Sequence, residues 1–413
     1  MPFYFLKGGF ALSMLQATNR EGKIITPSLL PKEAWSHLRK QSFFCPACKE
    51  PVILRAGEQT IPHFAHRPNS RCTLSVKGES FEHKQAKLLL YRWLQQQGLA
   101  SLHLEKYLPS IQQRPDLLFS TKKNQVALEY QQVSVPAKEI RKRNAGYKRE
   151  NIYPLWILGE RLLQPLPKPS TNVYRLSFFE RQFIRNYHLD GPSQLIYFCP
   201  RKERFTVLYD LILLSSQRAF VKYRQLPLSC ANLTSLFPKQ FLSSKVLFTL
   251  WYREKERFRT SPHPVKGKEL QYRKWLYHKG VHVEQLPSLI HLPIRLQYIM
   301  DRPLWHWQTK LVLDLLHPLP IGSFLSIETC QSLLDPFVLP SFMSQLPDLI
   351  KEYMQYFIIF KFFAPVKSLG WKKLRSIPFF PYIEVSLKAD RYLLRNLRQQ
   401  GFVGEGEKKK LEC

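Results

Sequence analysis

Arg114-Pro115-Asp116-Leu117-Leu118-Phe119 is followed, after the polar turn Thr121-Lys122-Lys123-Asn124, by Gln125-Val126-Ala127-Leu128-Glu129-Tyr130-Gln131. Two short apolar runs split by so brief a turn read as a β-hairpin. Along the second run, alternation sets Val126, Leu128 and Tyr130 on one face and Ala127, Glu129 and Gln131 on the other. The hairpin then brings Asp116 near Glu129, and small Ala127 leaves room beside them. Two carboxylates converging from adjacent strands suit Mg²⁺ or Mn²⁺, which activates a water and neutralises charge on a scissile phosphate. Asp116 and Glu129 are therefore candidate metal ligands, with Gln131 completing the candidate catalytic group.

Upstream, Ser80 can cap a helix that runs to about Gln97 and stops at Gly98. Its inward stripe is Ala86, Leu89, Leu90 and Trp93, and Glu82 falls on the same face one turn earlier. Taken alone, Glu82 reads as a first-turn acid complementing the helix dipole. A strand is expected at about residues 102–108. Downstream comes a basic helix with Lys138, Arg141, Lys142, Arg143 and Lys148, suited to phosphates, then the apolar strand Leu155-Trp156-Ile157-Leu158-Gly159. The order is helix, three strands, helix, strand.

Before this core stand Cys45-Pro46-Ala47-Cys48 and, past a strand-like Val52-Ile53-Leu54 and a turn at Ala56-Gly57, His63-Phe64-Ala65-His66. Two thiolates on a tight knuckle and two imidazoles complete a tetrahedral zinc shell, and Cys72 is close enough to replace one histidine. Such a zinc ion is structural, supplying folding energy that a short ribbon lacks.

Pro115-Asp116 followed by Glu129-Tyr130-Gln131, on that order of elements, resembles the PD-(D/E)xK restriction-endonuclease-like superfamily. With the Cys/His cluster, Glu82-His83 opening the helix and Trp156-Ile157-Leu158-Gly159 closing the core, residues 10–160 are similar to the CoiA-like competence proteins. The resemblance implies a mixed α/β (α+β) fold: a restriction-endonuclease-like core, an N-terminal zinc-ribbon-like module and a largely helical C-terminal region. It implies a DNA-processing protein of natural transformation, a metal-dependent nuclease acting on incoming DNA before or during homologous recombination, with recombination proteins as partners. Asp116 and Glu129 take the metal-ligand positions and Glu82 the helix carboxylate position found in part of the superfamily. The superfamily lysine is Gln131 here. An uncharged amide cannot supply that charge, which Lys142 or Lys148 would then bring from the next helix. The alternative is a degenerate core kept for DNA binding, in a mediator that passes strands to a recombinase.

The bulk numbers agree with a polyanion partner. Lys and Arg number 62 against 31 acids, a net charge of +31 with a pI near 9.9, and such a field draws in nucleic acid. Basic residues interleaved with aromatics, as in Tyr252-Arg253-Glu254-Lys255-Glu256-Arg257-Phe258-Arg259 and Tyr272-Arg273-Lys274-Trp275, favour DNA over an anionic membrane surface. Either segment also reads as a helix with a solvated basic face and an aromatic core face, and Trp305-His306-Trp307 reads as packing. At 413 residues, two to four domains are expected, roughly. The pattern gives 1–78 for the Cys/His segment, 79–160 for the core, a Pro-rich linker at 161–170 and a basic region at 171–413. The opening Met1-Pro2-Phe3-Tyr4-Phe5-Leu6-Lys7 lacks a secretory pattern. The apolar run around Phe357 is broken by Lys361, short of the ~20 residues a span needs. Seven cysteines do not form a disulfide framework. A cytoplasmic protein without stable membrane insertion is expected, with a disordered tail from Gly401 to Cys413.

Overall fold

A computed structural model describes residues 13–400 except 68–69, 71, 73–78, 169–170, 188–190, 261–265 and 368–369. The opening residues and the tail expected to be disordered lie outside the described residues.

The chain is a mixed α/β structure that divides into two compact units. The first comprises Met1–Leu163, Leu195–Val207 and Arg224–Phe237. At its N-terminal end a hairpin pairs β1 (Pro51–Gly57) with β2 (Thr60–His66), in a register that sets Val52 opposite His66. Its apolar side joins Met14, Ala17, Leu38, Phe43, Cys45 and Phe64 in a small core.

The order read for the acids follows: α1 (Phe81–Gln95), β3 (Ser101–Leu104), β4 (Leu117–Ser120), β5 (Gln125–Gln131), α2 (Ala137–Arg149) and β6 (Ile152–Gly159). Ser80 caps α1, its Oγ accepting from His83 N–H at 3.1 Å, and Gly98 past its end takes φ +63°, a left-handed value open to glycine. β3, β4 and β5 form an antiparallel meander, with Leu117 opposite Leu128. β6 returns parallel to β5, as a connection through a helix requires. The next strand, β7 (Ser193–Cys199), lies parallel to β6 through Leu158–Tyr197 and Gly159–Phe198. The two helices cover opposite faces: Tyr130 meets the His83 ring of α1, while its neighbour Glu129 meets Tyr147 of α2.

The second unit comprises Gln164–Gln194, Leu208–Tyr223 and Pro238–Cys413. In it α3 (Ser244–Thr260) packs along α6 (Ile383–Gln400), held by buried Arg259 and Asp390. α4 (Leu304–Leu311) and α5 (Leu346–Ile359) supply further core, and Phe324–Ser326, Gly370–Lys373 and Phe363–Val366 form a three-stranded sheet. The region from residue 171 was expected to be largely helical, yet it also carries β7, β8 (Arg204–Ser215) and β9 (Arg218–Pro227). Every residue of β7 and nine in a row within β8 are buried. Strands buried on both faces have no period of two, so the apolar runs hid them. Among the described residues no helix is long and apolar enough to cross a membrane.

Candidate metal centres

The knuckle Cys45–Lys49 is closed by Lys49 N–H donating to Cys45 O at 3.0 Å and by Cys45 N–H donating to Glu50 O at 2.9 Å. Among the described residues, Cys45, Cys48, His66 and Cys72 each place one ligand atom within 4.8 Å of all the others. Three sulfurs and one imidazole nitrogen are a fitting donor set for zinc. His66 Nε2 faces Cys48 Sγ at 3.9 Å, while Nδ1 faces Ser70 Oγ at 3.1 Å and Glu50 Oε2 at 3.6 Å. A second contact of that kind fixes ring orientation in metal-binding histidines. Burial lowers the His66 pKa, favouring the neutral imidazole, and pushes the Cys48 thiol up to about 12. His63 is not part of this group. Its Nδ1 lies 2.8 Å from Ile61 O, and residues three apart on a strand face opposite sides.

The second group gathers at the head of β4. Asp116 Oδ2 accepts from Tyr130 N–H at 2.8 Å; Oδ1 faces His83 Nε2 at 3.5 Å and Lys87 Nζ at 3.7 Å. Glu79, His83 and Asp116 offer ligand atoms within 4.8 Å of one another. Carboxylates with an imidazole suit a divalent ion of the Mn²⁺ class as well as Mg²⁺. Lys87, wholly buried, reaches Glu79 Oε2 at 2.5 Å and also bonds Glu105. Burial works against ionising Asp116, but His83 and Lys87 outweigh it and hold its carboxyl well below the usual range. Likewise, burial opposes the Lys87 charge, and Glu105 and Glu79 restore it, raising its pKa.

Glu129 sits on the α2 side. Its Oε1 lies 2.6 Å from the Arg143 guanidinium and accepts from Tyr147 Oη. Burial pushes its carboxyl up to about 7, with Arg143 opposing and the Asp116 charge adding. Arg143 thus turns inward, also donating to Arg114 O at 3.1 Å, whereas Arg141, Lys142 and Lys148 are exposed along α2. Gln131 donates to Val133 O at 2.6 Å. Glu82 accepts from Gln132 at 2.5 Å and pairs with Arg161 at 2.7 Å and with Arg201.

The structure therefore brings Asp116 together with Glu79, His83 and Lys87, which the sequence reading did not select as a group. Part of the signal was present: positions 83 and 87 are four apart, the spacing of one helical face, while Glu79 stands just before the helix begins.

Comparison with known proteins agrees along the chain. Residues 28–75 match the family model of the competence protein CoiA N-terminal domain, 79–241 its nuclease-like domain, and 248–386 its C-terminal domain. Competence protein CoiA of Bacillus subtilis (strain 168) is 31% identical over 287 residues, 69% of this chain and 75% of that protein. No solved structure matches. The chain belongs to the CoiA family of competence proteins.

Proposed function

We propose that this protein is a metal-dependent nuclease with a PD-(D/E)xK-type core that processes incoming DNA during natural transformation. The observation that carries the reading is the placement of Asp116: its carboxylate is grouped with Glu79 and His83, at the head of a strand whose partner strand carries Glu129. A divalent ion held there would activate water and neutralise charge on the scissile phosphate. The chain's own residues divide the remaining work. Asp116, with Glu79 and His83, would hold the ion, and Glu129 is the second acid, carried on β5 beside Arg143 and Tyr147 of α2. Lys87 balances the acids from α1, and Arg143 brings a positive charge from α2 that Gln131 does not supply. Exposed Arg141, Lys142 and Lys148 grip the DNA backbone. Cys45, Cys48, His66 and Cys72 hold a structural zinc ribbon. The protein works in the cytoplasm, beside recombination proteins.

One observation favours a second reading, a non-catalytic mediator that binds DNA: Glu129 is already engaged by Arg143 and Tyr147, and Gln131 by its own loop. A cleavage assay on single-stranded, duplex and branched DNA with Mg²⁺ or Mn²⁺ separates the two. The nuclease reading expects cutting by the wild type and none by the Asp116→Ala, Glu129→Ala double variant. Salt-sensitive binding with no cutting under any metal would leave the mediator.

A further inference from the structure

The second unit carries a feature that the acids do not use. At the turn joining β8 to β9, Ser215 and Ser216 border a cleft of about 50 Å³ whose lining includes Arg181, Gln297, Asp301 and Arg302. A single water needs about 10–15 Å³, so the space takes a tetrahedral oxyanion. Ser215, Ser216 and Asp301 are exposed at its mouth, and Arg181 is largely withdrawn from solvent. Arg181 donates from one terminal nitrogen to Met300 O, but its Nε is buried without a hydrogen-bond partner. A charged donor buried and unpaired is costly, and a bound ion or water beside it relieves that cost. Burial lowers the Arg181 pKa, with exposed Asp301 the acid that opposes this. Arg302, its guanidinium 5.8 Å from the Phe337 ring centre, supplies a second positive charge at the same cleft. α4 begins here after Pro303, with no side chain capping it, so the positive end of that helix adds to the field.

We propose that this cleft binds a phosphate group, with Arg181 and Arg302 donating to its oxygens and the Ser215 and Ser216 hydroxyls closing its mouth. Guanidinium groups favour such oxyanions because charge-assisted bonds to phosphate are short and strong. Two sources present this chemistry, a DNA backbone and a free phosphate or phosphomonoester, and the net charge of +31 favours the backbone. The inference does not depend on the nuclease reading.

The test uses the full chain, titrated with inorganic phosphate against chloride at matched ionic strength and followed by Tm. A ligand that binds only the folded state raises Tm in a saturable way. The wild type is expected to show that rise, and Arg302→Gln and Arg181→Gln to weaken the apparent Kd for phosphate at least about tenfold. If Arg181→Gln fails to fold, Arg302→Gln decides the matter. A short oligonucleotide that competes with phosphate in the wild type identifies the DNA backbone as occupant. Phosphate binding without competition identifies the free phosphate or monoester, and either result supports the cleft. No phosphate-specific rise in the wild type, or an equal rise in Arg302→Gln, overturns the proposal. Asp116→Asn is expected to keep the full phosphate response, which separates this site from the acids.

Discussion

Asp116 and Tyr130 are joined by a 2.8 Å hydrogen bond from the backbone N–H of one to the carboxylate Oδ2 of the other. The acid that leads β4 is thereby clamped to the far end of β5. Its other oxygen is the one that faces His83 and Lys87. One oxygen serves the fold and the other faces the proposed metal site.

That division makes Asp116→Asn and Asp116→Ala separable. The amide oxygen of asparagine still accepts from Tyr130, so Asp116→Asn loses only the charge that faces His83 and Lys87, a cost of about 1–3 kcal/mol in urea denaturation. Asp116→Ala loses the clamp as well and should be measurably less stable. Metal-dependent cleavage should fall at least about a hundredfold in both, since each removes the charged ligand. Full activity in Asp116→Asn would remove Asp116 from the site.

Lys87 is tested by Lys87→Met. The substitution keeps a long apolar stem but leaves Glu79, Glu105 and Asp116 without their shared ammonium. Breaking a buried pair in this way costs about 3–5 kcal/mol. The urea midpoint should drop accordingly, and a loss under about 1 kcal/mol would show that the buried acids do not depend on Lys87.

The contrast between Asp116 and Lys87 also shows what the sequence made legible. The hairpin, the capped helix and the order of elements follow from alternation, Ser80, Gly98 and a four-residue turn, all of which act locally. The companions of Asp116 do not. His83 and Lys87 reach it because α1 lies along the sheet, and Glu79 from just before that helix, a tertiary fact that no local pattern states. The candidate metal donors at the N-terminal knuckle divide in a similar way. Cys45 and Cys48 are visible as a knuckle, and Cys72 as a replacement for one histidine, but which histidine drops out is set by the strand that sends His63 and His66 to opposite sides. The strands β7 and β8 were missed because burial on both faces removes the alternation that marks a strand, whereas β9 alternates along its second half and did offer that signal.

Metal analysis distinguishes the two histidines. The wild type should carry about one zinc per chain, as should His63→Ala, while Cys72→Ala and His66→Ala should lose most of it. Stripping the metal with a chelator should lower the thermal stability of the N-terminal hairpin, because the zinc contributes folding energy there. Retention of zinc in Cys72→Ala with its loss in His63→Ala would reverse the assignment.

Glu352 gives a pH signature within the second unit. It accepts from the backbone N–H groups of Arg295 and Leu296 at 2.7 and 3.2 Å, yet burial pushes its carboxyl up to about 7. Arg295 opposes that shift and Asp210 adds to it, while the phenol of Tyr356 lies one turn along the same helix. A carboxyl with a raised folded pKa binds its proton more tightly folded than unfolded. Its contribution therefore becomes less favourable as pH rises from the unfolded value near 4.5 to about 7. Glu352→Gln should flatten the stability profile across that window, the wild type losing on the order of 2 kcal/mol relative to the variant. Parallel profiles in urea titrations at several pH values would argue against it.

The unit that holds the acids borrows chain from far downstream. Residues 195–207 and 224–237 belong to it, β7 pairs with β6, and Trp93 of α1 donates to Ala231 O at 2.7 Å. On the ribosome, where chain emerges from the N-terminus onward, Asp116 and Glu129 are exposed long before their fold can close. Until residue 237 is out, the nascent protein holds its acids on an unfinished sheet. Premature termination anywhere before that point should yield an unfolded product rather than a working fragment.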